Sequence, residues 1–277
     1  MKTPGRTLRR WFPSPLLRAS VALHAAAGAA LLARPRIWPI ALGAVVADHL
    51  ALTAAGLWPR SRLLGPNWTR LPAGAGLARS VAITIDDGPD PEVTPQVLEI
   101  LDRYDVRASF FCIGARVERH PELVAEIARR GHSVENHGYR HAHSFALLGP
   151  RALREDLSRA QRCIHAAARS EPLFFRAPAG LRNPLLQPVL AELGLRLASW
   201  TRRGYDTVNR DPQRVLRRLT NRLGGAEILL LHDGHAARST RSIPVVVEVL
   251  PALLDVLRTA GLTPVTLRAA LANSGAR

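Results

Sequence analysis

A chain of 277 residues with 47% apolar and 22% charged side chains can bury a full core and is neither fibrous nor low-complexity. A formal charge of +16 would suit nucleic acid, an anionic membrane or an acidic glycan. The excess is local, however: residues 1–80 hold eleven Lys and Arg against one acid, Asp48, and no nucleic-acid recognition motif accompanies it, which sets nucleic acid aside.

Lys2, Arg6, Arg9 and Arg10 precede an apolar stretch at 16–33, Arg34 and Arg36 separate it from a second at 37–58, and Arg60 and Arg62 follow. Basic residues bracketing apolar spans form the pattern of membrane flanks. Neither span is clean, because Arg18 and His24 interrupt the first while Asp48 and His49 sit near the middle of the second. A mid-bilayer Asp costs about 2.5–3.5 kcal/mol on insertion scales, a cost that falls if a hairpin turns Asp48 between its helices toward His24. Segment 1–63 therefore reads as a membrane-associated helical hairpin. The competing readings are an interfacial anchor and an Ala-rich extension of a soluble domain; a cleaved signal peptide fits worse because a second apolar segment follows at once. Two spans would keep the rest of the chain on the side of the N-terminus and one span would put it opposite, so the side stays open. Trp58 and Trp68 suit an interface, and 64–80, Gly-rich at 65–76, reads as a linker.

From 81 onward, short β-rich apolar runs alternate with helical patterns. Strands are expected at 81–86, 107–112, 173–176, 195–200, 226–231 and 263–267, with a shorter one at 132–135. Helices are expected at 94–104, 121–130, 150–168, 184–193, 212–223 and 244–259, several opening on Pro, which suits a first helical turn. Such alternation implies a parallel α/β sheet, and its density suits a compact, incomplete barrel over 81–268, leaving 269–277 as a tail. Cys112 and Cys163 have no CxxC spacing and read as buried small hydrophobes.

Polar residues gather just past the strand ends, which share one rim in parallel β/α folds. Asp86 and Asp87 close the first strand, Arg176 closes a Phe-Phe run, Asp206 follows Trp200, and His232 and Asp233 follow Ile228–Leu231. Taken alone, Asp-Asp-Gly-Pro is a turn. His137 and His141, four apart, would lie about one turn from each other on a helix and could chelate a divalent metal. Two imidazoles and a carboxylate leave positions open for water and substrate, which separates a catalytic from a closed structural site. His132 reads as structural and His143 as exposed.

The ordered motifs TIDDGP, HGYRH, FRAPAG and LLLHD resemble the NodB-type polysaccharide deacetylase family over roughly 81–267. The resemblance implies a distorted (β/α) barrel, a divalent metal that is usually Zn2+, and hydrolysis of N-acetyl groups on a hexosamine at, by expectation, a bacterial inner membrane. It implies Asp86 as general base, Asp87, His137 and His141 as metal ligands, Arg176 as the residue that positions Asp86, and His232 as general acid. The Pro178–Ala179 backbone would bind the oxyanion, and Leu229 and Leu231 could floor a pocket for the acetyl methyl.

Gly138 replaces the Ser or Thr usual after the first His, Ala179 stands where an aromatic is common, and Arg203 and Thr207 occupy positions where an acidic residue and Trp are expected. Asp206 is either a substitute carboxylate partner for Arg176 or a cap on the loop before Pro212. Thinned aromatic walls and the basic N-terminus point to a small or lipid-linked N-acetylated sugar, whose phosphate Arg202, Arg203 and Arg238 could meet unless they are simply solvated. The alternative is a membrane-tethered, metal- and glycan-binding pseudoenzyme without turnover.

Overall fold

The computed structural model describes residues 11–72 and 74–274. Two antiparallel helices come first, α1 (Pro15–Ala33) and α2 (Trp38–Leu57). The Ser14 side chain caps α1 by accepting from the Leu17 N–H at 3.3 Å, and both helices carry Pro in their first turn, where the missing N–H costs nothing. Only Ser20 in α1 and Ala41, Ala55 and Gly56 in α2 are buried. Val21, Leu32, Ile40, Leu42, Val46 and Leu50 all stand exposed. At about 1.5–3 kcal/mol for each such side chain left in water, the forgone burial exceeds ordinary surface imperfection. Both helices are long and apolar enough to cross a membrane.

The remaining elements run β1 (Ser80–Asp86), α3 (Val93–Arg103), β2 (Ser109–Cys112), α4 (Gly114–Arg119), α5 (Pro121–Arg129), β3 (Ser133–Asn136), α6 (Pro150–Ala168), β4 (Phe174–Phe175), α7 (Leu186–Glu192), β5 (Arg196–Leu197), β6 (Arg202–Arg203), α8 (Pro212–Thr220), β7 (Glu227–His232), α9 (Val245–Thr259), β8 (Thr263–Val265) and α10 (Leu267–Asn273). The sheet order is β5-β4-β3-β2-β1-β7-β6, with β8 pairing the start of β1, and every pair is parallel. This is the expected α/β architecture: a curled, barrel-like sheet surrounded by helices. Alternation along the strands divides its core. Val81, Ile83, Ile85, Leu229 and Leu231 pack outward against α3 and α9, whereas Ala82, Phe111, Phe174, Ile228 and Leu230 fill the concave side.

The structure departs from the expected elements in several places, including an unexpected helix, α4. Segment 64–80 does not hang free: Leu64, Leu71 and Leu77 are buried, the Trp68 N–H donates to the Leu197 carbonyl at 2.9 Å, and that of Leu71 donates to Ala226. The segment thus runs along the open side of the sheet, from the end of β5 to the residue before β7. Trp68, expected at an interface, packs edge-on to Phe174 at 5.0 Å. Part of the expected tail is helix α10, capped by Thr266, with Leu267 and Ala270 buried. Strand β6 was also unexpected, since a strand of two arginines has no apolar signature; Arg202 is held by an ion pair to buried Glu227.

Candidate active site

Residues of one strand parity share a face, so Asp86 follows Ala82 and Thr84 to the concave side, Arg176 follows Phe174, and His232 follows Leu230. Asp86 and His232 are register partners on neighbouring strands. Asp87 breaks from the strand at φ +74°, which turns its carboxylate toward β3. Gly88 permits this turn: a Cβ there would lie 2.5 Å from Asp233 Oδ2. Burial pushes the Asp233 carboxyl up to about 7, against hydrogen bonds from Thr94 and the Gly234 N–H.

His137 follows β3 and is buried. Its Nδ1 lies 2.8 Å from the Arg176 carbonyl, to which it donates, so the neutral ring keeps the Nε2 lone pair free. His137 Nε2 and His141 Nε2 approach the same oxygen, Asp87 Oδ1, at 3.2 and 3.1 Å. Neither closes a hydrogen bond, and that buried oxygen has no hydrogen-bond partner. The three ligand atoms lie within 4.8 Å of one another. Two imidazoles and a carboxylate converging on a shared point, with an orphaned oxygen among them, fit a divalent cation better than a self-satisfied polar cluster. Burial works against the Asp87 carboxylate, but contacts from His137, His141 and His235 outweigh it and hold the group well below the usual range.

The segment from His137 to His141 is a loop, not the helical turn its spacing suggested, because Gly138 (φ +77°) and His141 (φ +52°) enter the left-handed region. Asp156 on α6 braces it, accepting from the N–H groups of Tyr139 at 2.8 Å and Arg140 at 3.2 Å. Asn136 Oδ1 accepts from the Gly138 N–H at 2.8 Å. A hydroxyl at 138 is therefore not needed to hold the loop, and a Cβ there would meet Asp156 Oδ2 at 2.9 Å.

Arg176 is almost wholly buried. It donates to Asp86 Oδ1 at 2.5 Å, to Thr84 Oγ1 at 2.9 Å and to the carbonyls of Ala198 and Ser199, with its guanidinium 4.1 Å above the Phe111 ring. Burial pulls its pKa below the ordinary value while Asp86 opposes that. Asp206 is not its partner. The fully buried Asp206 instead accepts from His232 Nδ1 at 2.8 Å and from the His232 backbone N–H at 2.7 Å. It does not cap α8 either; Asp211 does, accepting from the Gln213 N–H. Burial pushes the His232 pKa down, but Asp206, with Asp86 and Asp87 behind it, raises it above the ordinary value.

Asp86, Asp87, His137, His141, Pro178, Ala179 and His232 all line one cavity of about 650 Å3. Leu229 and Leu231 do not: they have the outward parity, and Leu230 is the residue that faces the cavity. Sequence reasoning missed His235, whose Nδ1 lies 3.3 Å from Asp87 Oδ2 and whose Nε2 lies 2.9 Å from Arg116. The HDGH spacing, which returns a second His to the same strand end, was the available signal.

Fold and site together define a β/α protein with an arginine-paired carboxylate, an Asp–His–His set that could hold a metal ion and a carboxylate-paired imidazole at the carboxyl ends of its strands. Residues 73–198 match the family model described as polysaccharide deacetylase. The chain is 34% identical over 175 residues, 62% of its length and 81% of the other, to a peptidoglycan-N-acetylglucosamine deacetylase of Bacillus cereus. It is 33% identical over 165 residues, 59% and 75% of the two chains, to a chitooligosaccharide deacetylase of a Bradyrhizobium species. A solved peptidoglycan N-acetylglucosamine deacetylase superposes with a TM-score of 0.68 at 25% identity, covering 76% of this chain and 95% of that one. The chain belongs to the polysaccharide deacetylase family, and its enzyme class is the sugar N-deacetylase, a hydrolase of carbon–nitrogen bonds outside peptides.

Proposed function

We propose that this enzyme removes the N-acetyl group from an N-acetylhexosamine carried on a glycan or lipid-linked sugar at a membrane surface. The observation that carries this reading is the convergence in one cavity of the Arg176–Asp86 pair, the Asp87–His137–His141 set and the Asp206–His232 pair. Asp87, His137 and His141 would hold a divalent metal such as Zn2+, which when bound would lower the pKa of water from about 15.7 to about 7 and polarise a carbonyl. Arg176 occupies Asp86 Oδ1 and leaves Oδ2, 3.7 Å from His137 Nε2, to take the proton from the attacking water. Ala179 lines the cavity, and its backbone N–H would serve the developing oxyanion. His232, with Nδ1–H fixed by Asp206, delivers the Nε2 proton to the departing nitrogen as the C–N bond breaks, releasing acetate and a free amine.

Two observations favour a lipid-linked, anionic substrate. Arg119, Arg140 and Arg203 line the cavity, and among the described residues none pairs with a carboxylate. Arg203 Nε is buried without a hydrogen-bond partner, and its guanidinium lies over the rings of Trp200 and Tyr205. Arg202 and Arg238 are discounted, since they are committed to Glu227 and Glu92. In addition, the end of α2 is stitched to the cavity rim: the Arg182 N–H donates to the Gly56 carbonyl at 3.2 Å, and Ser199 Oγ to the Pro59 carbonyl at 2.7 Å. On this reading 1–63 is a membrane hairpin whose two long apolar helices, α1 and α2, anchor the catalytic domain at the bilayer surface.

Acetate release should be assayed after chelation and zinc restoration, on chitooligosaccharide, peptidoglycan and a polyprenyl-phosphate-linked N-acetylhexosamine. Chelation is expected to abolish release and zinc to restore it, with Asp86→Asn and His232→Ala each lower by about 10²-fold or more. Equal activity in both variants and wild type would overturn the mechanism. Faster release from the polymers than from the lipid-linked sugar would overturn the lipid substrate alone.

A further inference from the structure

The two apolar helices contain four ionisable side chains, Arg18, His24, Asp48 and His49. Three of them meet. His24, midway along α1, faces Asp48 and His49, midway along α2, and one ligand atom from each lies within 4.8 Å of the others. The histidine rings are 5.2 Å apart, nearly edge to face.

These groups do not satisfy one another. His24 Nδ1 lies 2.8 Å from the Ser20 carbonyl, and His49 Nδ1 lies 2.8 Å from the Val45 carbonyl, each one turn back on its own helix. Each neutral ring thus donates from Nδ1 and keeps its Nε2 lone pair, the orientation that a carbonyl imposes on a ligating imidazole. The nearest His24–Asp48 approach, 3.9 Å from the same Nδ1 that donates to Ser20, is too long for a hydrogen bond. Asp48 receives one, from Ser20 Oγ at 2.7 Å, and its side chain is only 9% exposed. A core histidine pair would be expected to donate to the carboxylate; here both rings give their Nδ1 protons to backbone carbonyls of their own helices instead, and a ligand atom of each still lies within 4.8 Å of the others and of the carboxylate.

We propose that His24, Asp48 and His49 form a second site for a divalent transition metal of the zinc class, clasping α1 to α2 midway along the hairpin. Two imidazole nitrogens and one carboxylate oxygen are a donor set such ions accept. Bound there, the cation would neutralise the one acid of the apolar pair and engage imidazole nitrogens that make no hydrogen bond to that acid. The residues share no element with the catalytic set, so the site stands or falls independently of the proposed reaction.

The test is metal stoichiometry of the full chain in detergent, by elemental analysis after desalting, with Co2+ absorption as a second readout. Wild type is expected to hold two zinc ions per chain. His137→Ala/His141→Ala is expected to hold one and to keep a ligand-field Co2+ spectrum, and adding His24→Ala/His49→Ala is expected to remove both signals. Circular dichroism and the retained catalytic-site ion of His24→Ala/His49→Ala alone report folding. A wild-type chain with one ion, or a second ion indifferent to His24 and His49, would overturn the proposal.

Discussion

Replacing Asp206 by Asn isolates what the buried carboxylate does for His232. Asp206 uses two acceptor oxygens, one for the His232 backbone N–H at 2.7 Å and one for Nδ1–H at 2.8 Å. Asn offers one acceptor and a donor, so one of those buried N–H groups must lose its partner, and in either orientation the charge that favours imidazolium is gone. With the largest of its favourable charge partners gone, the His232 pKa falls. A general acid contributes about 10²–10⁴ in rate, or roughly 2.7–5.5 kcal/mol of barrier. Asp206→Asn should therefore lower kcat for acetate release by about that factor at unchanged zinc content. Because the acid works only when protonated, the alkaline limb of the pH–rate profile should move to lower pH. A variant with near wild-type kcat and an unmoved alkaline limb would refute both the pairing's role and His232 as the acid.

Asp156→Ala removes the acceptor for two N–H groups in the loop that carries His141. Zinc affinity, measured by competition with a chelator, is expected to fall about 10–100-fold, with much of kcat recovered at saturating zinc, and unchanged affinity would show that the loop holds itself. His132 bears on acid stability: burial, with Arg107 nearby, lowers its pKa to about 4, while the unfolded chain titrates near 6.5. The folded state therefore refuses a proton that the unfolded state accepts, and stability should fall by about 3 kcal/mol as pH drops from 6.5 to 4, with no contribution above that window. Denaturant unfolding of His132→Gln should show a smaller loss over the same interval; an equal loss would refute the assignment.

The strand-end residues were legible because an apolar run that stops on Asp86, Arg176 or His232 carries its own period, and parallel strands share a rim. What remained hidden depends on facts that no local pattern encodes. The choice between Leu230 and its neighbours Leu229 and Leu231 needs to know which face of β7 is concave. The pairing of Asp206 with His232 depends on how the loop after β6 returns to β7. The loop between His137 and His141 has a spacing that a helix would also satisfy, and only positive φ at Gly138 and His141 excludes the helix. Arg202 hid β6 because an ion pair to Glu227, not apolar burial, anchors that strand.

The packed segment after α2 changes what an anchor can do for catalysis. A flexible linker would let the domain range over many orientations, and a membrane-bound sugar would meet the cavity only in some of them. Here the Pro59 carbonyl accepts from Ser199 and Asn67, Arg182 donates to Ser61, and the Pro59 ring lies where a Cβ on Gly180 would come within 2.6 Å. Gly180 and Trp200 line the cavity. Its wall and the end of the hairpin are therefore one packed unit, and under the proposed topology the mouth is held at a fixed height and tilt over the bilayer. For a substrate confined to the same surface, that geometry replaces a search in three dimensions by encounter in two, with orientation partly fixed before binding. The same reasoning separates substrates: the hairpin should matter most for a lipid-linked sugar and little for a soluble oligosaccharide. Loosening the stitch with Gly180→Leu, which displaces Pro59, should therefore cost more kcat/KM on the former than on the latter, and an equal loss on both would mean that the contact only shapes the cavity.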